Sequence, residues 1–89
     1  MNFEWDEAKA RANQAKHNVS FSEATEVFAD DYSSYVPDPD HSYGEDRYLL
    51  FGLFLEGGYI VVSFTERSDT IRIISARRMT RQERKAYER

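Results

Sequence analysis

The sequence predicts an α+β domain in which helices cover one face of an antiparallel sheet: two N-terminal helices, a four-stranded meander and a C-terminal helix. Three observations carry this. Small and apolar residues recur at helical spacing in the first thirty positions, the stretch from Tyr32 to Arg78 switches to two-residue alternation, and clusters of turn residues separate the alternating runs. With 89 residues, 40% hydrophobic and 15% aromatic, the chain has the apolar material for one packed core over 1–89. On size, roughly 60–65% of the unfolded surface is buried on folding, and no second domain is expected.

Asp6 is placed to cap the first helix, and Glu7 in the first turn suits the positive end of the helix dipole. Ala8, Ala12 and Ala15 form its expected inward stripe, small enough for a close approach, while Phe3 and Trp5 supply bulk at its start. His17 in the last turn suits the negative end, and Asn18 tolerates the left-handed cap conformation. Ser20 to Glu23 has the S-x-x-E spacing of a capping box and opens a second helix with Ala24, Val27 and Phe28 on one face. Two helices therefore precede the sheet.

Tyr32 to Val36 reads as a first, modest strand, and Pro37, Pro39 and Gly44 mark a polar turn region after it. "RYLLFGLFL", "YIVVSFTER" and "TIRIISARR" read as three further strands, the first two joined through "EGG" and the last two through "SD". Thr80 to Glu83 is another capping box and opens the terminal helix, whose inward candidates are Ala86 and Tyr87. That helix is too polar to bury deeply.

Zero cysteines exclude disulfides and thiolate zinc sites and fit a reducing cytosol. The N-terminal residues lack the apolar stretch of a secretory signal, and the longest apolar run, Tyr48 to Leu55, is far below the roughly 20 residues that span a bilayer. A cytoplasmic protein without membrane contact is expected. There is no P-loop, dinucleotide fingerprint, zincin or serine-hydrolase motif. Counted from Asp38, Gly44 falls seventh and Leu49 twelfth, the wrong spacing for an EF-hand. His41 with Asp38 and Asp40 reads as a solvated acidic turn, and neither a metal nor another cofactor is expected.

The formal charge of −4 is unevenly distributed: residues 1–63 hold four Lys or Arg against twelve acids, and residues 64–89 hold eight against four. The basic end therefore suits a polyanion or an acidic partner. In a regular strand from Thr70 to Arg78, Ile71, Ile73, Ser75 and Arg77 share one face, and Arg72, Ile74, Ala76 and Arg78 the other. Arg72 and Arg77 are candidates for gripping phosphate, since a guanidinium stays charged and binds phosphate oxygens bidentately; structural ion pairs are the competing explanation. Arg81, Arg84, Lys85 and Arg89 read as a solvated helix face with Glu83 and Glu88 as local partners.

Three stretches, "FEWDEAKARANQAKHNVSFSEATEVF", "PDPDHSYGEDRYLLFG" and "ERSDTIRIISARRMTRQERKAYE", resemble the BrnT family, the toxin half of a bacterial type II toxin–antitoxin pair. The resemblance covers nearly the whole chain and departs from the family at Asn18, where Gly is usual. It implies a RelE-like ribonuclease fold, RNA cleavage that arrests translation, and a BrnA-type antitoxin that neutralises the toxin and supplies most of the DNA binding. It further implies a complex of two toxins and two antitoxins. Carried over by position, the family's polar motif falls on Lys9, His17, Arg47, Glu66, Arg72 and Arg77. The expected roles are Glu66 as base, Arg72 and Arg77 as phosphate clamps, and His17 or Lys9 as acid, with Arg47, Arg67, Arg78 and Arg81 as RNA contacts. A lone His at a helix C-terminus is more often a cap than a catalyst, Lys9 also reads as a solvated side chain, and Arg47 as a partner of Glu45 or Asp46. The other function open to the sequence is a non-catalytic module that binds nucleic acid or protein.

Overall fold

The computed structural model describes residues 1–54 and 58–88. Most of the expected "EGG" connection, and Arg89, lie outside the described residues. In chain order the elements are β1 (Asn2–Glu4), α1 (Glu7–His17), α2 (Phe21–Val27), β2 (Ser34–Pro37), a single 3₁₀ turn (Pro39–His41), β3 (Arg47–Phe54), β4 (Gly58–Arg67), β5 (Thr70–Arg78) and α3 (Arg81–Glu88).

The local signals behave as their chemistry dictates. Asp6 accepts from the Lys9 N–H at 3.0 Å, and Asn18 takes the left-handed cap conformation at φ 57°. Ser20 and Glu23 form both halves of their capping box, and so do Thr80 and Glu83. The β4–β5 hairpin turns through Ser68 and Asp69, with Ser68 at φ 55°.

The sheet is five-stranded and mixed, in the order β1-β5-β4-β3-β2. This corrects the expected four-stranded antiparallel meander and the expectation that two helices come first: β1 adds a parallel strand against β5, with Phe3 opposite Ile71 and Glu4 opposite Arg72. A three-residue strand whose partner lies almost seventy residues away leaves no alternation to read.

One face of the sheet carries α1 and α2. Val19, Phe21, Ala24 and Val27 pack there against Leu50, Phe54, Ile60, Val62, Phe64, Ile71, Ile73 and Ala76. A ladder of edge-to-face rings, Phe3 to Phe28 to Phe64, ties β1 and α2 to the sheet. Gly52 in β3 lies under α2, where a Cβ would collide with Val27.

The alanine stripe of α1 is not its inward face. Ala8, Ala12 and Ala15 are exposed, and Asn13 is buried instead, with Ala10 and His17 beside it half-buried. Asn13 is inside because its amide replaces a strand. Nδ2 donates to the Ala76 carbonyl at 2.9 Å and to the Val19 carbonyl at 3.0 Å, and Oδ1 accepts from the Ala76 N–H at 3.1 Å. β1 covers β5 only from Thr70 to Arg72, so Asn13 serves the edge beyond it.

Asn13→Ala strands backbone groups in a dry site, at about 1–3 kcal/mol for a group left without its partner. The variant is expected to lose about 2–4 kcal/mol of unfolding free energy in urea denaturation. A loss within the ±0.5 kcal/mol of an ordinary surface change would show that the amide does not hold the edge.

Candidate functional site: a cationic cleft on the open face

The face of the sheet away from α1 and α2 is only partly covered, and the bulge in β5 decides what it displays. Ser63 pairs with Ser75 but Phe64 pairs with Ile73, leaving Ile74 as one extra residue in β5. The expected regular alternation therefore fails in the middle of the strand. Ile71, Ile73 and Ala76 face the core, whereas Arg72, Ser75 and Arg77 share the open face with their partners Thr65, Ser63 and Val61. Without the extra residue, Arg72 and Arg77, five positions apart, would point to opposite sides.

A cleft of about 280 Å³ opens on this face, lined by Asp38, His41, Arg47, Leu49, Ser63, Ile74, Ser75 and Arg77. β3 delivers Arg47 and Leu49, β4 Ser63, and β5 Ser75 and Arg77, while the 3₁₀ turn brings Asp38 and His41 over the side. That turn is pinned to the start of β3: Asp38 N–H donates to the Arg47 carbonyl at 2.8 Å, Ser42 Oγ donates to the Asp38 carbonyl at 2.8 Å, and Arg47 N–H donates to Ser42 Oγ at 3.0 Å. His41 Nδ1 meets Asp38 Oδ2 at 2.9 Å. The acidic turn expected from the sequence is thus an ordered wall of the cleft.

A second depression of about 240 Å³, between α1 and β5, is lined by Lys9, Ala12, Asn13, Lys16, His17, Ile74 and Ser75. The two depressions share Ile74 and Ser75. Of the sequence-based candidates, Arg47 and Arg77 thus meet in one hollow and Lys9 and His17 in its neighbour.

The remaining candidates lie elsewhere. Glu66 pairs with Ile71 on the helix-bearing side of the sheet and is exposed, so it is not brought to the arginines. Arg72 is on the open face but its Nη1 is tied to Glu4 at 2.7 Å. Arg67 lies between Glu45 at 3.4 Å and Glu4 at 3.7 Å. Arg78 faces the other way, over the Phe54 ring at 5.9 Å, and Arg81 is exposed at the start of α3. Among the described residues no cluster of three His, Asp or Glu is placed to hold a metal ion.

Arg77 is itself held from behind. Its Nη1 and Nη2 donate to the two Glu83 oxygens at 2.8 and 3.0 Å, and Nη1 also reaches the Arg78 carbonyl at 3.2 Å. The hydrogen bond from Arg77 draws the Glu83 carboxyl down to about 2, against the opposing effect of burial, and Glu83 in turn raises the Arg77 guanidinium. Glu83 thus pairs across to β5 and not along its own helix. Arg84 lies over the Tyr59 ring at 4.3 Å, and Tyr87 meets Tyr59 edge-on, so α3 covers one end of the open face; Ala86, expected inward, is exposed. The Arg47 guanidinium has no carboxylate partner among the described residues.

The fold is that of a small toxin class. A family model for the ribonuclease toxin BrnT of type II toxin–antitoxin systems matches residues 5–83. The crystal structure of the ribonuclease toxin BrnT from Brucella abortus is similar at a TM-score of 0.71, with 25% sequence identity over 91% of this chain and 99% of that one. No curated protein matches the chain significantly. The chain belongs to the BrnT family, as the resemblance of its sequence motifs implied.

Since the Glu83 carboxyl is lowered from 4.5 to about 2, its contribution to stability is present above pH 4.5 and is lost as the pH falls towards 2. Glu83→Gln is therefore expected to melt at a lower temperature than the parent at pH 7, with the gap closing by about pH 2. A gap independent of pH across that window would remove the ion pair as its cause.

Proposed function

We propose that this protein cleaves RNA by metal-independent attack of a ribose 2′-OH on the adjacent phosphate and so arrests translation in the cytoplasm. A BrnA-type antitoxin would neutralise it in a complex of two toxins and two antitoxins, contacting DNA only through that complex. The observation that carries this reading is the β5 bulge, which puts Ser75 and Arg77 on the same face as Arg47, where all three line a cleft of about 280 Å³, with Arg72 on that face outside the cleft. Guanidinium groups fixed on strands are aimed before the substrate arrives, and pre-aimed charge favours the extra negative charge of a phosphorane transition state.

In this mechanism Arg47 supplies the unneutralised charge at the cleft. Arg77 is oriented by Glu83 and the Arg78 carbonyl, which leaves its Nε–H and one Nη2 hydrogen for phosphate oxygens. Arg72, outside the cleft, is held by a single bond from Nη1 to Glu4. Lys9, Lys16 and His17 line the neighbouring hollow and suit the backbone of the same strand as it leaves the cleft. The family membership supports the chemistry, and the absence of a 2′-OH in DNA restricts internal attack to RNA.

The test is purified protein with labelled RNA in EDTA. Products with 2′,3′-cyclic phosphate and 5′-hydroxyl ends are expected; retention without cleavage would instead favour a binding module. Arg47→Ala and Arg77→Ala should each lower cleavage by roughly 10²-fold or more and relieve growth arrest. Arg77→Lys should rescue little, because a point charge does not replace the bidentate fork. Glu66→Ala, on the far side of the sheet, should cleave like the parent. Loss of cleavage in Glu66→Ala together with full activity in Arg47→Ala would place the chemistry on the opposite face.

A further inference from the structure

Glu66 lies on the wrong face to take a proton in the cleft, and the guanidinium groups do not act as bases. The cleft does contain a pair suited to that work. His41 Nδ1 and Asp38 Oδ2 are 2.9 Å apart, and the two side chains differ sharply in exposure, 65% for His41 and 15% for Asp38. A carboxylate oxygen accepts, so Nδ1 carries the hydrogen, and in the neutral ring the free lone pair is on Nε2. A shielded carboxylate behind an accessible imidazole fixes the tautomer and orientation of a proton acceptor and stabilises the imidazolium that forms.

The placement of the pair is not accidental to its loop. Three hydrogen bonds through Asp38, Ser42 and Arg47 tie the 3₁₀ turn to the first residue of β3. The backbone that carries the dyad is thereby held against the residue that carries one of the two cleft guanidinium groups. The same cleft is lined by Arg47 from β3, Arg77 from β5, and Ser63 and Ser75. Base and phosphate-binding charge thus meet in one hollow.

We propose that His41 is the general base of the cleavage, with Asp38 as its positioning residue; this rests on the ribonuclease reading above. Nε2 takes the proton of the 2′-OH as the O2′–P bond forms. The P–O5′ bond then breaks, and the 5′ oxygen leaves and takes a proton from solvent. The imidazolium returns its proton to solvent, so the products are a 2′,3′-cyclic phosphate and a 5′-hydroxyl, with no net consumption of water or of any cofactor. Arg47 and Arg77 face the phosphate oxygens throughout.

The experiment measures steady-state cleavage of a labelled mixed-sequence oligoribonucleotide in EDTA by the full chain and its His41→Ala and Asp38→Asn variants. Thermal unfolding serves as the control for folding, and the exposure of His41 suits it to truncation. His41→Ala is expected to lose about 10²–10⁴ in kcat with KM little changed. Added imidazole should restore part of that turnover. Asp38→Asn should fall between the parent and His41→Ala in kcat. Equal turnover by parent and His41→Ala overturns the assignment, and so does a loss confined to KM without imidazole rescue, which makes His41 an RNA contact only. A parent protein that binds this RNA without cutting it overturns the ribonuclease reading and the base together, a result distinct from either of the others.

Discussion

The exchange of hydrogen bonds between the Asn13 side chain and the backbone of Ala76 organises this molecule. A sheet edge left bare beside a helix would bury polar groups without partners, and β1 is too short to cover all of β5. The Asn13 amide, with one donor group and one acceptor aimed at a single residue, substitutes for the missing strand there. Its second donor hydrogen holds the Val19 carbonyl, which fixes the link into α2 as well. Because α1 is thereby set in register with β5, it presents the exposed Lys9 and Lys16 and the half-buried His17 along the same strand that carries Arg77.

The second determinant is the single extra residue at Ile74. Strand geometry alternates sides strictly, so two arginines an odd number of positions apart are separated by a whole sheet unless something resets the phase. The bulge resets it. The same reset keeps Ile71, Ile73 and Ala76 in the core, so packing and display are satisfied by one irregularity. Both arginines are then steadied by carboxylates from outside β5, Glu4 from β1 and Glu83 from α3. These bridges are partly exposed, so solvent screening reduces the stability they contribute, and both also fix the orientation of a guanidinium group.

What was legible in the sequence was local. Asp6, Ser20 with Glu23, and Thr80 with Glu83 announced three helix starts, Asn18 one helix end, and two-residue alternation the four longer strands, because each signal sits within a few residues of its effect. The family motifs carried the toxin assignment. Features that depend on distant partners were not readable. β1 needs β5, the inward face of α1 is defined by a polar residue that apolar periodicity discounts, and the phase reset at Ile74 leaves no composition cue between two isoleucines. Glu66 looked close to the arginines in sequence, but a residue of β4 opposite Ile71 is turned to the other side. His41 was passed over because a histidine among aspartates in a Pro-rich turn is ordinarily solvent-facing, and nothing local announces that this turn folds back onto Arg47.

Glu83 occupies two structural positions with one carboxylate. Its Oε1 accepts both from the Thr80 N–H at 2.9 Å and from Arg77 Nη1 at 2.8 Å, so the first turn of α3 and the posture of the cleft guanidinium are settled by the same atom. An anion that competes for Arg77 therefore weakens a bond on which the start of α3 also leans. By the reciprocity of coupled equilibria, whatever steadies or loosens that terminal segment must alter anion affinity in the hollow by an equal free energy.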